Sequence, residues 1–201
     1  MTTPPVRVVA FDVMDTLLVD PFREALRAAT DLSPREFFAR RDPDLYPAFE
    51  RGEIDETAYW QRHRELGLTV DPEAFHRVRR ERIDWVDGIP ELLDELDGEL
   101  RLVTASNYPV WIEELADRFL AAHFSQVLAS CHLGVRKPEP AFFEALLVRV
   151  GARVEETLFV DDREGNVEGA RAVGLRAHHF TGVSRLRHWL HDEGVAVATP
   201  S

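Results

Sequence analysis

The sequence predicts an α/β fold, a three-layer doubly wound parallel sheet with an all-helical insertion after its first strand. Three observations point there. Short apolar runs alternate with amphipathic stretches from residue 88 onward, the rhythm of strand–helix–strand units. The apolar runs are continuous rather than alternating, as expected where helices cover both sheet faces. Carboxylates, a hydroxyl and an ammonium fall just after these runs, at the edge where open parallel sheets bind ligands.

The first strand is expected at 6–11 (VRVVAF), leading into "FDVMDTLL" at 11–18. Residues 18–86 break the rhythm and read as helices at 21–29, 33–40, 44–51, 55–66 and 72–83. Ser33-Pro34, Asp55-Glu56 and Asp71-Pro72-Glu73 are start signals. Gly52 and Gly67 are stop signals. The chain therefore divides into a core, 1–17 with 87–201, and an insertion, 18–86. Within the core, strands are expected at 100–105, 126–129, 157–160 and 175–179. Helices are expected at 88–97, 109–120, 139–150, 165–173 and 184–192, with a frayed tail at 194–201.

The 201 residues are 45% apolar, enough for one domain with a modest insertion. The net charge of −12 repels nucleic acid and anionic membrane, so neither is expected as a partner. An anionic ligand needs a local cation or metal to offset that field. Cys131 is the only cysteine, which rules out an internal disulfide and suits a reducing compartment; it reads as a small buried apolar residue. The stretch "MTTPPVRVVAF" lacks a leader pattern, so a cytoplasmic protein, monomer or homodimer, is expected. Of 24 basic residues, 23 are arginine and one is Lys137, which suggests a position that requires an ammonium.

A carboxylate at the end of a buried strand is costly unless it is paired or binds a metal. Asp12, Ser106-Asn107, Lys137 and Asp161-Asp162 all follow apolar runs. Magnesium takes carboxylate, water and phosphate oxygens. A lysine is compact enough to sit between two carboxylates. An aspartate can act as a covalent nucleophile in phosphoryl transfer. The Ser106 hydroxyl and Asn107 N–H could position the phosphoryl oxygens.

The segments "VVAFDVMDT", "LVTASN", "RKPEPAFFEALL" and "LFVDDREGNVEGARAVGL" resemble the four motifs of the haloacid dehalogenase superfamily, in that family's order. The insertion stands where the superfamily carries a helical, C1-type cap, and "FERGEIDETAYW" (49–60) resembles cap sequences. The resemblance implies a Rossmann-like core and Mg2+-dependent hydrolysis of a small phosphorylated substrate. It implies Asp12 as nucleophile, Ser106 and Asn107 as phosphoryl-binding residues, and Lys137 as the group that orients Asp12. Asp162 and the Met14 carbonyl would hold magnesium, with Asp161 a further ligand or the partner of Lys137. Thr16, on the substrate side, and Asn166 would support the loops.

Phosphatases of that superfamily carry a second aspartate two residues after the nucleophile, as acid and base. Here that residue is Met14, and losing a general acid costs about 10²–10⁴-fold. Four readings follow. In the first, a substitute acid acts: Asp15, nearest in sequence, ahead of His63 or His132. The substrates could instead carry leaving groups that need no proton. The chain could be a dehalogenase, though retention of Asp161-Asp162 argues against it. It could be a binding protein without turnover. A plant branch of flavin mononucleotide phosphatases is similar in "FDVMDT", "DPF" (20–22) and "NYP" (107–109), which implies that Met14 is compatible with phosphatase activity. Asp15 also reads as a loop cap. Tyr46, Phe49, Tyr59 and Trp60 read as the insertion's own core, with one or two facing substrate. His63 reads as a surface residue, the arginines of 77–82 as a solvated helix face, and His178 and His179 as no metal site.

Overall fold

The computed structural model describes residues 5–98 and 100–198. Strands β1 (Val8–Phe11), β2 (Arg101–Thr104), β3 (Thr157–Asp161) and β4 (Arg176–His179) form a parallel sheet in the order β2-β1-β3-β4. The helices, in chain order, are α1 (Phe22–Ala29), α2 (Pro34–Arg40), α3 (Leu45–Glu50), α4 (Glu56–Glu65), α5 (Pro72–Arg82), α6 (Ile89–Leu96), α7 (Ile112–Leu115), α8 (Ser130–Leu133), α9 (Pro140–Val150), α10 (Glu164–Ala172) and α11 (Val183–Asp192). Successive β1 side chains point to opposite faces. Val9 and Phe11 join a core with Leu92 of α6, Ile112 of α7 and Leu186 of α11. Val8 and Ala10 join another with Phe142 and Phe143 of α9 and Val167 of α10. The result is the three-layer arrangement that the sequence predicts.

The five helices expected between 18 and 86 form, because their ends are written locally. Ser33 and Glu36 make a reciprocal capping box at α2. Asp55 accepts Ala58 N–H at 2.8 Å, and Asp71 accepts Glu73 N–H at 2.9 Å. Gly52 and Gly67 end helices with φ of 70° and 74°, a region that favours glycine. Trp111 of the core joins these helices to the sheet, with Phe49 at 5.1 Å and Phe75 at 5.4 Å between ring centroids.

Several expectations are corrected. The segment 126–129 is not a strand: it runs parallel to β2 through isolated bridges, Val103 to Gln126 and Ser106 to Ala129. Between them the Thr104 hydroxyl intrudes, donating to the Leu128 carbonyl at 2.9 Å and accepting its N–H at 2.7 Å. The helix expected at 109–120 becomes α7 followed by a π-helical turn over Ala116–Leu120. The stretch 194–198 is docked rather than frayed: Val195 is buried, and Ala198 N–H donates to Glu95 at 3.0 Å. Residues 199–201 lie outside the described residues. The arginines of 77–82 are not all solvated. Arg79 is buried, paired with Glu114, with its guanidinium 5.5 Å from the Trp111 ring centre. Among the described residues, no helix is long and apolar enough to cross a membrane.

Candidate active site

The C-terminal ends of β1 and β3 place Asp12 and Asp161 side by side, since Phe11 pairs with Val160. Lys137 comes between them from the loop before α9. Its ammonium lies 2.8 Å from Asp12 Oδ1 and 2.5 Å from Asp161 Oδ2. All three are buried. Burial alone would drive the proton off Lys137, but the two carboxylates prevail and hold its pKa above the ordinary lysine value.

The Lys137 loop is clamped from two sides. The Asn107 side chain accepts Lys137 N–H at 2.8 Å and donates to the Lys137 carbonyl at 2.9 Å. Gly169 of α10 lies so close that a Cβ there would sit 2.7 Å from the Pro138 carbonyl oxygen. Asn107 was expected among the phosphoryl-binding residues; its side chain is committed to this clamp, while its N–H donates to no carbonyl among the described backbone bonds. Ser106 is buried but lines the cavity beside Asp12.

Oxygens of Asp12, Asp161 and Asp162 lie within 4.8 Å of one another. Their availability differs. Asp161 Oδ1 accepts Arg163 N–H at 2.9 Å, and the Asn166 amide reaches both Asp161 oxygens at 3.0 and 3.1 Å. Asp161 is thus the partner of Lys137, with both oxygens engaged. Asp162 finds no side-chain donor among the described residues. Burial and then the charges of Asp12 and Asp161 push its carboxyl up to about 7. Such a crowded set of hard oxygen donors fits a divalent cation like magnesium. The Met14 carbonyl accepts none of the described backbone hydrogen bonds outside helices and strands, and Met14 lines the same cavity.

The remaining expected residues sort themselves by contact. Asp15 adopts a left-handed φ of 57°, and its Oδ1 accepts Asp20 N–H at 3.0 Å, the bond of a loop cap. Thr16 is fully buried and is not among the residues lining the cavity, and its hydroxyl has no partner among the described residues. His63, expected at the surface, is buried among the helices of 18–86, its ring 5.2 Å from Phe37 and its Nδ1 2.9 Å from the Tyr59 carbonyl. His132 is held by Glu113 at 2.7 Å. Neither histidine lines the cavity. Cys131 is half-buried, and burial pushes its thiol up to about 11, the wrong direction for a nucleophile.

Sequence reasoning missed much of the wall. Asp20, Glu50 and Arg163 line the small cavity at Asp12. They also line an adjoining cleft of about 290 Å³ with Phe22, Arg23, Phe38, Arg41, Tyr46 and Arg136. Arg41 stacks over Phe38, 4.8 Å from its ring centre. The signals were indirect: Asp20 and Phe22 fall in "DPF", Glu50 in "FERGEIDETAYW", Tyr46 among the aromatics of which one or two were expected to face substrate, Arg136 precedes Lys137, and Arg163 follows the acidic pair.

A parallel sheet whose strand ends gather two aspartates around a buried lysine defines a hydrolase of a known class. The chain belongs to the haloacid dehalogenase-like hydrolases, the family that residues 6–174 match. It is 32% identical over 197 residues to the chloroplastic flavin mononucleotide hydrolase 1 of Arabidopsis thaliana, covering 96% of this chain and 80% of that protein. It is 30% identical to a phosphoserine phosphatase of Thermus thermophilus, covering 85% and 87%. The fold is shared with a HAD family enzyme, bt-2542 of Bacteroides thetaiotaomicron, at a TM-score of 0.77 and 18% identity, over 94% and 98% of the two chains. That enzyme has also been solved in complex with magnesium and inorganic phosphate.

Proposed function

We propose that the chain is a magnesium-dependent phosphatase of small phosphomonoesters, acting through a phospho-aspartyl intermediate on Asp12. The observation that carries this reading is the division of labour among three carboxylates: Asp161 neutralises Lys137, Asp12 is shared, and no side chain among the described residues donates to Asp162. Asp12 attacks phosphorus in line while Lys137 fixes its orientation. The Ser106 hydroxyl and Asn107 N–H receive the phosphoryl oxygens. Magnesium held by Asp12, Asp162 and the Met14 carbonyl would supply charge neutralisation for the phosphoryl group. Residues 18–86 serve as the cap, and its closure excludes water while the intermediate forms.

The cavity beside Asp12, about 40 Å³, accommodates little beyond a phosphoryl group. The leaving group must occupy the adjoining cleft. Phe22, Phe38 and Tyr46 with Arg41 offer a surface for a planar ring. A flavin suits it, and the name of the Arabidopsis relative supports flavin mononucleotide as the substrate to test first. The test is phosphate release from flavin mononucleotide, sugar phosphates, acyl phosphates and an aryl phosphate, with magnesium and with chelator. Magnesium-dependent release supports the reading. Silence across the panel contradicts it, and halide release from a haloacid without magnesium would replace it with a dehalogenase.

A further inference from the structure

Met14 leaves one step without an agent: protonation of the departing alcohol. We propose that Glu50, reaching the cleft from the end of α3, donates that proton and later activates water. The inference rests on the phosphatase reading. Its basis is position. The small cavity at Asp12 and the larger leaving-group cleft share Met14, Asp20, Glu50, Asn107 and Arg163 in their walls. The ester oxygen must lie at that junction, because the bond to be broken joins the contents of one cavity to those of the other. Among the shared residues only Asp20 and Glu50 can give and take a proton near neutral pH.

Their circumstances differ. Asp20 is exposed, and its Oδ1 accepts Phe22 N–H at 2.9 Å at the start of α1. Glu50 is buried. Arg136 grips one of its oxygens, with Nε at 3.0 Å and Nη2 at 2.7 Å from Oε2. No described residue donates to Oε1. The Glu50 carbonyl accepts the Ser130 hydroxyl at 2.6 Å, and Ser130 N–H donates to the Ser106 carbonyl at 2.8 Å. Glu50 is therefore fixed to the phosphoryl-binding loop at its backbone and to the neighbour of Lys137 at its side chain. One carboxylate oxygen is held and the other is left to act. Burial raises its pKa above the ordinary glutamate value, outweighing the cations that face it, Arg136, Arg163 and Lys137.

The step balances. Asp12 forms a bond to phosphorus as the ester P–O bond breaks, and the bonding pair leaves with the alcohol oxygen. That oxygen takes the Glu50 proton. The Glu50 carboxylate then takes a proton from water as the water oxygen attacks phosphorus. The aspartyl P–O bond breaks, Asp12 returns as carboxylate, and Glu50 is protonated again.

The test uses leaving groups of different basicity. Glu50→Gln keeps an acceptor for Arg136 but has no acidic proton. Its kcat on the best alkyl ester of the panel should fall by about 10²-fold or more, the scale of a lost general acid. Its kcat on 4-nitrophenyl phosphate, whose leaving group needs no proton, should fall by less than about 10-fold. Adding Met14→Asp to Glu50→Gln should restore part of the alkyl activity, which a purely structural defect would not allow. If Glu50→Gln does not fold, Glu50→Asp takes its place and should show the same preference for the aryl ester, less strongly. Equal losses on both esters, an unchanged alkyl rate, or a selective loss in Asp20→Asn instead would overturn the assignment. A wild-type protein that releases phosphate from neither ester overturns the phosphatase reading and Glu50 with it.

Discussion

Lys137 bonds Asp161 at 2.5 Å and Asp12 at 2.8 Å, so the lysine's closer partner is the carboxylate with no free oxygen. Asp161 absorbs the ammonium's charge, and Asp12 keeps an oxygen to spare. The chain's only lysine stands where an arginine's planar fork would demand more room.

Removing that ammonium should be expensive. Lys137→Met leaves two buried carboxylates without their cation, and breaking a buried pair costs about 3–5 kcal/mol. Lys137→Arg should recover only part of this, for lack of space. Urea denaturation reads both. A loss in Lys137→Met below about 1 kcal/mol, the worth of a surface pair, would contradict the account.

Gly169→Ala sets two effects against each other. Alanine favours a helix interior over glycine by about 0.5–1 kcal/mol. Against that, its Cβ would stand 2.7 Å from the Pro138 carbonyl oxygen, next to Lys137. Overpacking of this kind costs about 1–3 kcal/mol, so net destabilisation and a lower kcat are expected. A variant with a higher melting temperature and unchanged kcat would show that the loop yields freely.

His178 makes the stability depend on pH. Its ring stacks on Trp189 at 5.0 Å, and its Nε2 is buried without a partner among the described residues. Burial, then the charges of His179, Arg171 and Arg185, hold its pKa down to about 4. The unfolded chain binds this proton near the ordinary histidine value of 6.5. The unfolded state is therefore the more protonated one between those values, and its contribution is full above 6.5 and declines as pH falls toward 4. His178→Phe keeps the stacking and loses the titration. Its melting temperature should drop less than the wild type's between about pH 7 and about pH 5; equal drops would contradict the assignment.

What was legible in the sequence was local. Apolar period, Asp and Ser caps and helix-ending glycines reported the strands and most helices, because each depends on a few neighbouring residues. The segment 126–129 failed for a tertiary reason: the Thr104 hydroxyl, a distant side chain, replaces a ladder bond. Arg79 looked solvated because its neighbours are charged, yet Glu114 and Trp111 lie 35 and 32 positions away. The site separates in the same way. Strand-end acids and a solitary lysine stand out in one dimension. The Glu50–Arg136 pair, 86 positions apart, leaves no trace in it. His63 was misjudged for want of Phe37, whose ring covers it.

A covalent bond between phosphorus and Asp12 is what sets this mechanism apart from direct attack by water. The most direct measurement is acid quench during turnover of the best substrate, followed by mass spectrometry of the peptide containing Asp12. A phosphoryl adduct on Asp12 that needs magnesium to form is expected, together with an Asp12→Asn variant that folds normally, forms no adduct and releases no phosphate. Turnover without an adduct, an adduct on another residue, or full activity in Asp12→Asn would contradict it.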